Sequence, residues 1–591
     1  MQPPRNAWPT GIAADHALFI VQLFRELLGP NTYESFRVSS LDLFARLAEV
    51  HGISDDIQSE KVKFPSLIPA LEELKYSLLH DKVVSAIIPR EVEFLKRNWP
   101  PNSICEADIP QLIRFIQTFF DRISGEYRKS LEQEIVASRS SPERKEHIRQ
   151  LAISYCSHLI NIGYNRQYIY QEVNKRFFTC PIRKVEKRTL EAFFRIFNEV
   201  KKRFYITIPV SDSFSTYISS LNQLALSVKV HADLPPDARL GFEALPNFKL
   251  ERKYVVGVVS GLDEFSAARE LTEALESLIA MTYLNRRGVE LEWENLAYAK
   301  GIRSHSGNIL KIDQVVLQSR QKKLSGRTLR ELTLQAEQIM TKFDEASTDR
   351  LVSAVNMSAI SRSSYRPENQ LITLWSAVEV LIDNPRPGVA RISHYLDALI
   401  PAICVKYPRR YIIAVFDELL RYNRSHVSAF LKRPEFYPSD DQYTKFTKLI
   451  FRDDLKYLHA EFCAGLHRSP LALYRLWKLE KSFETPQALI RAIEGHEQRV
   501  RWQISRIYRT RNNIVHSGRL PTFLVPLVIN VFEYFRSALI PVLVRASANA
   551  NRGNIDQIVA EIGFDYQMQK SELKSLGAAR FEAKDIMKYL R

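Results

Sequence analysis

The sequence predicts a mainly α, multi-domain protein, and three observations carry that reading: its length, its scarcity of glycine and the spacing of its apolar residues. At 591 residues the chain is too long for one hydrophobic core and should divide into three or four units. Its 45% hydrophobic content, with 25 tyrosines and 32 phenylalanines, fills several cores. Only 19 glycines argue against a turn-rich all-β architecture and fit long helices on short connections. Residues 1–203 read as successive amphipathic helices with apolar positions three and four apart, as in Leu112 to Ile123 and Leu190 to Phe204. Pro100, Pro101 and Pro110 punctuate this helical N-terminal domain.

The texture changes over 204–300. FYITIPV, LALSVKVHA and KYVVGVVSG are short β-branched runs bounded by Pro, Gly and Asp, and they predict strands. Ala267 to Gly288 predicts a long helix with Gly288 at its C-terminal end, which makes the region a small α/β insert. Residues 301–365 are polar and basic and predict a helical connector. Arg366-Pro367 then opens a C-terminal helical bundle over 366–550, because proline pre-sets the first turn of a helix. Asn369 to Asp383, Tyr411 to Phe430, His496 to Val515 and Phe523 to Val544 supply helices of that bundle, and 551–591 predicts a peripheral helical tail. The most apolar run, Phe523 to Val544, carries Asn530, Glu533 and Arg536 in its middle. Such charges are costly in lipid, so a buried helix with one wet edge is expected and no membrane association.

The net charge of +16 favours an anionic partner such as nucleic acid or an acidic protein. From Arg183 to Arg203 the chain is dense in Lys and Arg, which reads as a solvated helix face or as a surface for RNA or a partner. Cys105, Cys156, Cys180, Cys404 and Cys463 are scattered and odd in number, a pattern that suits a reducing cytoplasm and offers neither a disulfide framework nor a zinc knuckle. The first apolar run is too short and interrupted for a signal peptide. No Walker loop, H-E-x-x-H, G-x-S-x-G or strand-linked G-x-G-x-x-G occurs.

Chemistry concentrates instead in RIYRTRNNIVHSG. Cleaving RNA without a metal means that the ribose 2′-OH attacks the adjacent phosphorus. A group titrating near neutrality must handle the proton and a fixed cation must hold the charge on the phosphorane. His516 suits the first task and Arg511 the second, while Asn512 can donate to a phosphate oxygen or orient His516. The bare spacing is cheap: Arg46…His51, Arg421…His426 and Arg491…His496 share it, and Arg452…His459 and Arg509…His516 satisfy a longer version. Context separates them by resemblance: polar Asn512 follows the Arg, Ile514-Val515 precedes the His and Ser517-Gly518 follows it, all of which are similar to the motif of HEPN nucleases. Arg452, followed by Asp453, stays a second candidate. From Arg499 through Arg519 there is no acidic residue among six arginines, as in a cleft that tracks an RNA backbone. Arg506, Arg509, Arg519 and Tyr508 are the expected substrate-binding residues, and Tyr508 and Trp502 are candidates to stack bases.

These features resemble the HEPN ribonucleases, and in particular their Apea-like branch. Upstream, LWSAVEVLI (Leu374 to Ile382) is similar to that branch's first-helix signature, with Trp375 ahead of an Ala-x-Glu-x-Leu run that places Glu379 as a supporting partner of the catalytic Arg. The resemblance covers roughly 366–548. It implies catalysis by Arg511, His516 and Asn512 without metal or cofactor, cleavage of tRNA or mRNA to a 2′,3′-cyclic phosphate, and a homodimer whose two motifs form one cleft. It also implies a cytoplasmic anti-phage effector of the abortive-infection type. Residues 1–203 would then sense or regulate, answering to a phage-derived trigger. Five residues on a straight helix lie about 140° apart around the axis and about 7.5 Å along it, so Arg511 and His516 share no face unless the helix ends or bends near Val515. Two alternatives stand beside this. One is a non-catalytic HEPN scaffold that binds RNA or protein. The other is a Mg²⁺-dependent nuclease of the PD-ExK type, in which Asp237 and Glu251 bind metal and Lys253 assists the attacking water, although Asp237 reads as part of a turn.

Overall fold

The computed structural model describes residues 12–29, 41–98, 104–137, 142–179, 187–214, 228–231, 234–245, 253–282, 292–312, 330, 341–364, 366–382, 390–466, 468–521, 523–548, 553–577 and 581–589. Among them the protein is mainly helical, with one small antiparallel sheet, as the composition predicts. The chain forms two compact units. The larger comprises 1–158, 181–190 and 315–591, and the smaller comprises 159–180 and 191–314. The N-terminal helices up to residue 158 and the C-terminal bundle therefore belong to one unit, across the boundaries that the sequence suggests near 203 and 365, while the Arg166–Asn174 helix belongs to the other.

The smaller unit is built on β1 (Lys202–Val210), β2 (Val228–His231), β3 (Lys253–Gly261), β4 (Leu296–Gly301) and β5 (Asn308–Lys311) in the order β2-β3-β1-β4-β5, every neighbour antiparallel. The three predicted strands fall on β1, β2 and β3. The last two strands are additions: LAYAKG contains no β-branched residue, and β5 lies beyond residue 300, inside the expected helical connector. Phe204, Ile206, Ile208 and Val210 alternate along β1 and enter the core, where they meet Phe265, Ala268, Leu271 and Leu275 of the Glu264–Thr282 helix. Gly261 ends β3 where a Cβ would stand 2.7 Å from the backbone nitrogen of Ala267, so only glycine allows that turn. The expected C-terminal Gly288, the residues Arg183 and Lys184, and most of the 313–340 connector lie outside the described residues.

The larger unit includes α1 (Ile12–Leu28), α2 (Leu43–Gln58), α3 (Ile68–His80), α4 (Pro367–Leu381), α5 (Arg391–Cys404), α6 (Lys456–Ala464), α7 (Pro470–Ser482), α8 (Pro486–Ser517), α9 (Leu524–Ala548) and α10 (Ile555–Ser575). α8 organises it. Thr485 caps its start by accepting a hydrogen bond from the Ala488 N–H at 3.1 Å, and Pro486 fills the first turn. It thus begins about ten residues before the predicted start at His496. Leu489, Ile493, Val500, Ile504 and Ile507 recur at three-, four- and seven-residue spacing and face the core with α4, α5 and α9. Gly518, at φ 65°, ends the helix by donating its N–H to the Ile514 carbonyl.

Among the described residues α9 is the one helix long and apolar enough to cross a bilayer. It buries Leu524, Leu527, Val528, Val531, Phe535, Ala538 and Val542, leaves Ile540 and Val544 exposed, and pairs Arg545 with Glu561 and Asp565 of α10 at 3.2 and 3.0 Å.

Candidate active site

Pro367 starts α4, and its apolar face (Leu371, Leu374, Trp375, Val378) packs against α8 and α9. That packing fixes the one polar pair the helix offers to the motif. The Trp375 indole N–H donates to Glu379 Oε1 at 2.9 Å, one turn along α4, and the other Glu379 oxygen receives Arg511 Nη2 at 3.1 Å. Arg511 Nη1 donates in turn to Asn512 Oδ1 at 3.1 Å. Each Nη spends one hydrogen in these bonds, which leaves a second on each for a phosphate oxygen. Both ends of the Glu379–Arg511 pair are about a fifth exposed, at 22% and 23%, so the guanidinium is aimed but reachable. Tyr395 of α5 and Tyr508 of α8 complete the floor, each ring 5.6 Å from Trp375. Burial raises the Tyr395 hydroxyl above its ordinary range and the charge of Glu379 adds to that, with Arg391 and Arg511 opposing. Tyr395 escaped the sequence reading because nothing local marks it.

His516 is exposed in the last turn of α8, and its ring makes no hydrogen bond or ion pair among the described residues. The helix runs unbroken through Ser517, so the bend that would bring Arg511 and His516 onto one face is absent. Asn512 lies one turn before His516 and so shares its face, while its carbonyl oxygen is already bound to Arg511. Val515 and Leu520, 49% and 55% exposed, flank the histidine with apolar surface.

Three of the four expected substrate contacts need correction. Arg506 is 2% exposed and buried against α2 and α3: its Nε and Nη2 reach Glu49 at 2.9 and 2.7 Å, and Nη2 also meets Glu73. Arg509, 8% exposed, donates to the same Glu49 and to the Ser66 carbonyl at 3.2 Å. Burial disfavours the Glu49 anion, but the charges and hydrogen bonds of both arginines outweigh it and bring its carboxyl down to about 2. Neither guanidinium has a face left for RNA. Tyr508 is half-buried in the aromatic floor rather than offered to a base, and Trp502 is buried beside Tyr76 with its indole on Glu72. Arg519, whose side chain is 61% exposed, meets Asp56 at 3.1 Å and remains accessible. Arg506, Arg509 and Arg519 of the acid-free run are thus neutralised by carboxylates more than 400 positions earlier, a pairing no local pattern announces.

The other Arg…His spacings resolve into separate contacts. Arg46 pairs with Glu73 and His51 with Asp55; Arg421 faces Glu418, and His426 contacts the Phe462 carbonyl. Arg491 bonds the Gln487 carbonyl and His496 stacks on Tyr407, while Arg452 pairs with Asp454. For the Mg²⁺ alternative, Asp237 lies in the first turn of a short helix, Pro236–Glu243, with its carboxylate on Lys300. Lys253 faces Asp212 at 3.8 Å, and Glu251 lies outside the described residues. No group of three or more His, Cys, Asp or Glu side chains among the described residues is arranged to hold a metal ion. No family model, curated protein or solved structure matches the chain.

Proposed function

We propose that the protein is a HEPN-type endoribonuclease that cuts RNA without metal, at a site completed by a second copy of the chain. One observation supports this above the rest: the Trp375–Glu379–Arg511–Asn512 relay of hydrogen bonds, which aims a guanidinium on the same helix that ends in an exposed histidine. In the reaction His516 moves a proton, from the attacking 2′-OH or to the departing 5′-oxygen, and Arg511 holds the phosphorane charge. The products are a 2′,3′-cyclic phosphate and a 5′-hydroxyl. Arg511 and His516 occupy different faces of a straight helix, so a substrate phosphate meets both when two such helices approach across a two-fold axis. Exposed Val515 and Leu520 suit that approach. The setting we propose is cytoplasmic, as an anti-phage effector acting on tRNA or mRNA.

The test is incubation of the wild type and of His516→Ala with total RNA in EDTA, followed by sequencing of the cut ends. Cutting by the wild type to cyclic-phosphate ends, lost in the variant, supports the reading; equal cutting by both proteins, or loss of wild-type cutting in EDTA, overturns it. A second reading, a HEPN scaffold without activity, is favoured by the occupied state of Arg506 and Arg509, which removes much of the expected RNA track. Toxicity on expression that Arg511→Ala or His516→Ala relieves excludes the scaffold.

A further inference from the structure

Away from the motif, His459 and Cys463 lie one turn apart on α6, and His459 Nε2 stands 3.3 Å from Cys463 Sγ. The same nitrogen is 3.1 Å from Glu480 Oε1 on α7. Burial alone would lower the imidazole pKa, but its hydrogen bonds and electrostatic interactions with Cys463 and Glu480 outweigh it and raise it to about 10, which favours the protonated ring at neutral pH. Other ionisable groups on and around α6 have partners of their own. Arg433 pairs with Glu461 at 2.7 Å, Lys456 with Asp453 at 2.7 Å and Tyr457 with Glu435 at 2.8 Å, and His426 is 2.9 Å from the Phe462 carbonyl. Cys463 is half-buried and the His459 side chain is 19% exposed, so neither is sealed in the core.

We propose that Cys463 is a reactive thiol, a modification site for small electrophiles of the hydroperoxide class, with His459 as its charge and proton partner and Glu480 as the group that positions His459. A nucleophilic cysteine sits beside a cation that favours its thiolate form. A catalytic relay would place the thiol and the carboxylate on opposite ring nitrogens, whereas here both face Nε2. The arrangement therefore stabilises charge and suits a single modification event rather than turnover. In that event the thiolate sulfur attacks the terminal peroxide oxygen; the S–O bond forms, the O–O bond breaks, and the departing oxygen takes the Nε2 proton. Sulfur is oxidised by two electrons, the peroxide is reduced by two, and Cys463 becomes a sulfenic acid. Nothing in this depends on the RNA-cutting reading.

The test uses the full chain, reduced, with limiting isotope-labelled iodoacetamide at pH 7 and the label at each cysteine read by peptide mass spectrometry. Exposed Cys105 is the internal reference. Cys463 is expected to label about tenfold faster than Cys105 in spite of its lower exposure. His459→Gln should erase that excess, and Glu480→Gln should reduce it about threefold. Substoichiometric hydrogen peroxide followed by dimedone should mark Cys463 and spare Cys105. Wild-type labelling of Cys463 no faster than Cys105 overturns the proposal, as does an undiminished excess in folded His459→Gln. If His459→Gln does not fold, the wild-type ratio and Glu480→Gln decide.

Discussion

Two stretches of α8 share one helix and one run of arginines, yet their guanidiniums meet different surroundings. Arg506 and Arg509 are buried, and Glu49 of α2 binds both while Glu73 of α3 binds the first. Removing such ions from water costs several kcal/mol each, which only dense pairing offsets. Two residues further on, Arg511 has a single carboxylate partner and stays partly open, and His516 stands in solvent. The inner stretch thus ties the N-terminal helices to α8, whereas the outer end stays open to solvent. Charge along a sequence does not reveal where its counter-charge lies; only the neighbouring helices decide whether an arginine is structure or site.

The largest effect is expected on the inner stretch. Arg506→Ala leaves Glu49 and Glu73 buried without their main counter-ion and should destabilise the larger unit by about 3–5 kcal/mol in chemical denaturation. A loss under about 1 kcal/mol would break the comparison, since Arg506 would then be dispensable to the fold. Next comes His516→Ala: under the proposed function it is expected to slow RNA cutting about 100- to 1,000-fold, the scale of losing a general acid or base. Its stability should move by less than about 0.5 kcal/mol, as the residue is exposed in the last turn of α8. A variant that lost both activity and fold would place His516 with the inner stretch.

Acid should separate the two stretches as well. The Glu49 carboxyl is depressed to about 2 in the folded protein from an ordinary 4.5, so the unfolded chain takes up this proton first as the pH falls. Its contribution is therefore fully present above about pH 4.5 and is lost as the pH drops from there through about 2. That contribution is roughly 3 kcal/mol. Glu49→Gln should flatten this part of the stability–pH curve measured by thermal unfolding at a series of pH values, and His516→Ala should leave it unchanged.

The fold class was readable from the residues because helical periodicity and low glycine content are local properties. β4 was not, since Ala297, Ala299 and Lys300 carry little strand preference, and the strand is held by pairing with β1 and β5. The early start of α8 was readable in Thr485-Pro486, a cap followed by a first-turn proline. At the site, Trp375, Glu379 and Arg511 could be picked out as separate motifs, and the structure joins them by two hydrogen bonds. The roles of Arg506 and Arg509 were hidden for a physical reason. Their partners Glu49 and Glu73 are more than 430 residues away in sequence, so an acid-free run in the chain became an acid-rich surround in the fold.

A smaller effect tests the carboxylate of α4 that aims Arg511. Glu379→Gln keeps an acceptor for the Trp375 indole but removes the charge that aims Arg511. Because both partners are about a fifth exposed, the cost in stability should stay near 1 kcal/mol or below. Cutting should slow about tenfold through kcat with KM little changed, the signature of an interaction that matters in the transition state. A rise in KM alone would instead make Glu379 part of substrate docking.

The smallest effect belongs to Arg519, which lies just beyond the helix end and resembles neither stretch fully. It pairs with Asp56 of α2, as the inner arginines pair with α2 and α3, but its side chain is 61% exposed. An ion pair so open to water is worth less than about 1 kcal/mol and is weakened further by salt. Arg519→Ala should therefore change the midpoint of chemical denaturation hardly at all. If Arg519 serves RNA, the same variant should weaken RNA binding by a few-fold and reduce its salt dependence by about one counterion. Arg506→Met, which removes a buried charge, should cost stability without altering the salt slope of whatever protein remains folded. A salt slope that fell with Arg506 rather than with Arg519 would reverse the assignment of the two stretches, and the RNA track would have to run along the buried face of α8.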